Sequence, residues 1–157
     1  MEFSITIFLD SSGFLRRECP TCEKEFKCFY GHTESRPDDF LEPENYFCPY
    51  CGVPAGKDSW WTPAQLEYAQ SSIAGPVMEE LTKDLKEEFG RNRRKRGGLS
   101  INFEVSKGSV PEPLSPPIDP DDMMIVEPPC HTFEPLKVAE DWLDPIHCLM
   151  CGEKFIV

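Results

Sequence analysis

Residues 3–9, Phe-Ser-Ile-Thr-Ile-Phe-Leu, set β-branched and aromatic positions against Ser4 and Thr6, and that alternation predicts a strand. Asp10-Ser-Ser-Gly13 reads as a turn, and Phe14–Glu18 as a returning strand that runs into Cys19. Lys24-Glu-Phe-Lys-Cys-Phe29 alternates charged and apolar residues and predicts a third strand. Residues 31–44, with His32, Pro37, Asp38, Asp39 and Pro43, read as an exposed loop.

A helical period follows. Thr62 is a suitable N-cap, Pro63 fits the first turn and Gln65 completes a capping box. Leu66, Ala69 and Ile73 begin an apolar stripe that resumes as Val77, Met78, Leu81, Leu85 and Phe89. Gly75-Pro76 between the two halves predicts a kink or two helices, because proline removes a hydrogen bond and clashes with the preceding turn. Gly90 is the expected stop. Beyond it, Leu99–Val105 alternates as a strand, residues 108–122 form a proline-rich acidic connector, and Met123–Val126 is a short strand. The last expected strand is Glu153–Val157. The predicted class is α+β, built from small β-hairpin modules and one kinked or broken helical segment. The expected organisation is a β-hairpin module at 1–58, a helical segment with a basic end at 59–98, strands and connector at 99–127, and a C-terminal module at 128–157.

Charge narrows the partners. The chain of 157 residues has net charge −12, which argues against a protein that coats nucleic acid. The balance is uneven: residues 111–157 hold ten acidic and two basic side chains, whereas Arg91, Arg93, Arg94, Lys95 and Arg96 cluster at the helix end. That basic run reads as a solvated helix terminus or as a contact for nucleic acid or an acidic partner. Trp60 and Trp61 read as core, or as anchors for a partner or a base. No segment has the ~18 apolar residues of a membrane span. The N-terminus has no signal-peptide pattern, so the expected location is cytoplasmic, or nuclear in a eukaryote.

Eight cysteines carry the chemistry. In a reducing compartment, paired Cys-x-x-Cys turns read as metal ligands rather than disulfides. Cys19-Pro-Thr-Cys22 and Cys48-Pro-Tyr-Cys51-Gly52 offer four soft donors, the set that suits tetrahedral zinc. These turns resemble those of the zinc ribbon family, in which two knuckles at the ends of short hairpins clamp one ion. The resemblance covers residues 14–55 and implies a structural zinc that substitutes for a core too small to hold itself together.

A second set, Cys130, His131, Cys148 and Cys151, has the donors for a Cys3His site, with His147 as a rival nitrogen ligand. Two zinc ions are therefore expected, and Cys28 is left as a small buried hydrophobe. Another partition survives on sequence: Cys19, Cys22, Cys28 and His32 could form a local site, with Cys48 and Cys51 sharing one ion with Cys148 and Cys151. Separate local sites require less loop closure.

No phosphate loop, nucleophile elbow or small-molecule site is evident, and four-cysteine sites are closed. The expected function is a non-enzymatic adaptor or accessory subunit that binds another protein. A nucleic-acid-binding ribbon protein using residues 91–96 is the alternative. An enzyme with an open second zinc, and Glu134 or Glu153 as base, is the third reading.

Overall fold

A computed structural model describes residues 4–95 and 112–157, with side chains of the helix described up to Glu88. In chain order its elements are β1 (Phe14–Glu18), β2 (Glu25–Phe29), β3 (Asn45–Phe47), β4 (Pro54–Gly56), α1 (Pro63–Lys95), β5 (Met123–Val126), β6 (Leu136–Ala139), β7 (Ile146–His147) and β8 (Lys154–Phe155). The class is α+β: small antiparallel sheets with one helix. The chain divides into two compact units. One comprises Ile7–Gln65 with Pro117–Val157, and the other Leu66–Pro116 with Met1–Thr6.

The first unit is built on a four-stranded sheet in the order β1-β2-β6-β5, with β3-β4 and β7-β8 as separate two-stranded ribbons. β1 and β2 form a hairpin in which Arg16 faces Lys27 and Arg17 faces Phe26. β5 and β6 form a second hairpin, in which Ile125 faces Lys137 and Val126 faces Leu136. The hairpins join through their inner strands, where Lys27 faces Lys137. Each hairpin is followed in the chain by one of the ribbons, so the pattern of hairpin and ribbon occurs twice about an internal two-fold.

The lysines at that central pair are fully buried, beneath Asp10 and the end of the connector at 119–121. Period-2 alternation predicts which side chains share a face, and a charged residue on the second face is normally expected in water. Here Lys27 Nζ lies 3.1 Å from Asp10 Oδ2 and 3.0 Å from Asp119 Oδ1, and donates to Pro120 O at 2.6 Å. Lys137 Nζ reaches Asp10 Oδ2 and Asp121 Oδ1, each at 2.7 Å. Buried charges persist when paired in this way. The network also fixes the end of the proline-rich connector, which the sequence offered no reason to order.

Residues 4–9 are not a strand in this structure. The outer edge of β1, their natural pairing site, is taken by the segment after β4. Glu18 N donates to Trp60 O at 3.0 Å and Gln65 Nε2 donates to Arg16 O at 2.9 Å. The turn at 10–13 does form, with Gly13 N donating to Asp10 O at 3.1 Å and Gly13 at φ +85°.

The capping box at the start of α1 is complete: Gln65 N donates to Thr62 Oγ1 at 3.2 Å and Thr62 N to Gln65 Oε1 at 3.0 Å. The helix runs unbroken from Pro63 to Lys95, so Pro76 does not split it and Gly90 does not end it. Proline removes a single hydrogen bond at a cost of about 3 kcal/mol, and the good helix formers on both sides offset it. The expected strand at 99–105, together with Arg96, lies outside the described residues. No helix among the described residues is long and apolar enough to cross a membrane.

Candidate metal centres

The knuckles are local structures. At Cys48-Pro-Tyr-Cys51-Gly52 the chain turns so that Tyr50 N and Cys51 N both donate to Cys48 Sγ, at 3.4 and 3.5 Å, while Gly52 N donates to Cys48 O at 2.9 Å. Gly52 takes φ +72°, a left-handed conformation that glycine adopts without strain. At Cys148–Gly152 the same turn recurs, with Gly152 N to Cys148 O at 2.8 Å and Gly152 at φ +74°. Cys19–Cys22 differs in detail: Thr21 N and Cys22 N donate to Cys19 Sγ, and Glu23 takes the positive φ of 59°.

Cys19, Cys22, Cys48 and Cys51 meet with their sulfurs within 4.8 Å of one another. Cys19 Sγ to Cys51 Sγ and Cys22 Sγ to Cys48 Sγ are both 3.7 Å. A disulfide would put these atoms ~2.05 Å apart, whereas four sulfurs at the usual zinc–sulfur distance form a tetrahedron with edges of roughly 3.8 Å. Cys130, His131, Cys148 and Cys151 form the second cluster, with Cys130 Sγ 3.5 Å from Cys151 Sγ and His131 Nδ1 3.4 Å from Cys148 Sγ. Both clusters could hold a metal ion, and the arrangement is consistent with zinc-ribbon-like modules.

Burial pushes the Cys48 thiol well above its usual range and the Cys148 thiol up to about 12. Burial raises Cys22 and Cys130 as well, so each cluster has at least two donors that ionise at neutral pH only beside a cation. Cys19 is held below its ordinary value: burial opposes this, but N–H groups of Cys22 and Thr21 point at its sulfur.

The rival ligands are placed elsewhere. Cys28 lies within β2, where burial raises its thiol, opposite Leu15 and Leu136. His32 Nδ1 is 2.6 Å from Arg36 Nη1. His147 Nδ1 lies 3.3 Å from Pro49 O, and its ring fills the space in front of Gly52. Glu134 Oε1 is 3.1 Å from Arg36 Nη1, so that carboxylate is already ion-paired, and Glu153 is exposed. Trp60 is buried with its ring edge-on to Phe26, and Trp61 is half-buried beneath the Arg17 guanidinium. Arg91, Arg93, Arg94 and Lys95 fall in the last turns of α1.

Two features were hidden from sequence reading. The first is how the knuckles with a trailing glycine meet. Phe47 N donates to Leu149 O and His147 N donates to Pro49 O, both at 2.9 Å, so each knuckle caps the other. They therefore lie side by side while each holds its own cluster. A Cβ built on Gly152 would stand 2.7 Å from Phe47 Cδ1. Gly152→Ala is accordingly expected to lower stability by about 1–3 kcal/mol from backbone strain, with the ring clash added. A thermal-unfolding cycle with Phe47→Ala should remove the clash and leave the strain.

The second is how the loop at 31–44, largely exposed as expected, is tied down beside the second cluster. Thr33 Oγ1 donates to Phe133 O at 2.7 Å, Arg36 pairs with Glu134, and the Phe40 ring packs edge-on against His131 and Phe133. Its polar composition gave the exposure correctly but not the anchors, which lie about 100 residues away.

Fold and clusters together define an α+β protein with two possible metal-binding cysteine sites on one body. No family model, curated protein or solved structure matches the chain.

Proposed function

We propose that the chain binds two structural zinc ions and serves as a non-enzymatic adaptor or accessory subunit, presenting a zinc-held body to another protein. The observation that carries this reading is that each cluster gathers four protein donors. Zinc that performs catalysis usually has three protein ligands and an open fourth position. Thiolate-rich donor sets favour zinc over hard cations such as magnesium or calcium. Reduced thiols fit a cytosolic or nuclear setting. The buried position of Trp60 speaks against base stacking by that residue, which weakens the nucleic-acid reading.

Elemental analysis of protein purified without chelator tests the metal part. We expect two zinc ions per chain, one of them weakened by His131→Ala and neither by Cys28→Ala. One ion or none in the wild type would overturn the two-site reading, and a loss in Cys28→Ala would revive the local-site partition. The adaptor part predicts no hydrolytic activity that depends on Glu134 or Glu153 while zinc content is held constant.

A further inference from the structure

The two-fold relation between the hairpins exposes one asymmetry. Registers place Arg16 and Ile125 at equivalent positions, opposite Lys27 and Lys137, and likewise Arg17 and Val126, opposite Phe26 and Leu136. Glu18 and Glu127 follow in each hairpin. On β1 these positions are covered by the segment after β4, through Trp60 O on Glu18 N, Gln65 Nε2 on Arg16 O, and Trp61 against Arg17. On β5 no described segment plays that part. Alternation of main-chain groups along an antiparallel strand turns those of Ile125 and Glu127 to the edge that is open among the described residues. A groove of about 490 Å³ lies there, lined by Ile125, Val126, Glu127, Phe155, Ile156 and Val157. Ile125 is 54% exposed and Ile156 is 86% exposed.

We propose that this edge is the docking site for an extended segment of a partner protein, seated on β5 as Trp60–Gln65 is seated on β1. The inference rests on the adaptor reading and names the surface it would use. Chemistry specifies the occupant. Exposed Ile125, with Phe155 and Ile156 beside it in the groove, sets the central side chain of the guest as aromatic or aliphatic. Glu127, the exposed acid that lines the groove, selects a flanking lysine or arginine. Addition of a strand to an open edge supplies main-chain hydrogen bonds, and the groove supplies specificity.

A phage-displayed library of random nonapeptides, panned on the full zinc-loaded chain, supplies the probe. The best peptide is then synthesised with a fluorescent label and titrated by anisotropy. We expect selected peptides to combine a bulky apolar residue with a basic neighbour. Ile125→Lys should weaken binding at least tenfold and Glu127→Lys several-fold, while zinc content stays unchanged. Failure to enrich any peptide, or affinities within twofold in Ile125→Lys, would overturn the proposal. Sedimentation showing a dimer that Ile125→Lys dissociates would give the edge to a second copy and also overturn it. If binding fails while two zinc ions are present, the groove assignment alone falls; loss of zinc from the wild type would remove the scaffold reading beneath it.

Discussion

Cys48→Ser is expected to reduce metal content and to unfold the body formed by Ile7–Gln65 and Pro117–Val157. Cys48 is completely buried, its sulfur accepts two N–H groups, and the knuckle it anchors caps the second knuckle through Phe47 and His147. Serine retains the shape but ionises far less readily than a thiol, so it is a poor fourth donor. Structural zinc contributes about 10–16 kcal/mol, as much as the whole net stability of a typical domain, roughly 5–15 kcal/mol. Loss of one site should therefore be felt at the other. Elemental analysis with circular dichroism would show less than one zinc per chain and no cooperative melt. A Cys48→Ser protein that melts as the wild type does and keeps the second ion in full would show that the clusters are independent and that the core suffices.

Asp10→Asn should cause the second largest loss. Asp10 Oδ2 serves both buried lysines, while its Oδ1 accepts the N–H groups of Ser12 and Phe14, each at 3.0 Å. Asparagine keeps the shape and removes the charge, which leaves two buried ammonium groups with less compensation. Breaking a buried ion pair in this way costs about 3–5 kcal/mol, measurable by urea unfolding at pH 7.

The pH dependence provides an independent check. Burial alone would raise the Asp10 carboxyl, but its bonds to Lys137, Phe14, Lys27 and Ser12 hold it far below the ordinary 3.8. A depressed carboxyl stabilises the fold above its unfolded value, and that contribution declines as pH falls below about 4. The gap between wild type and Asp10→Asn should therefore be full at pH 7 and narrow in acid. A gap that does not change down to pH 2 would mean that Asp10 acts through shape, not charge.

Sequence by itself determined what depends on near neighbours. Cys-x-x-Cys turns, the glycine after Cys51 and Cys151, the Thr62–Gln65 capping box and the alternation of β2 all rest on residues a few positions apart. Donor types at the two clusters were legible for the same reason, since each set is made of local pairs. Tertiary structure decided the rest. Whether residues 4–9 pair depended on who holds the edge of β1, and that was settled by Trp60 and Gln65. Whether Lys27 and Lys137 face water depended on carboxylates brought from Asp10 and Asp119–Asp121. Where the exposed loop at 31–44 is anchored depended on Glu134 and Phe133, which meet Arg36 and Phe40. Periodicity records only which side chains share a face; what lies against that face is fixed by contacts between residues distant in the chain.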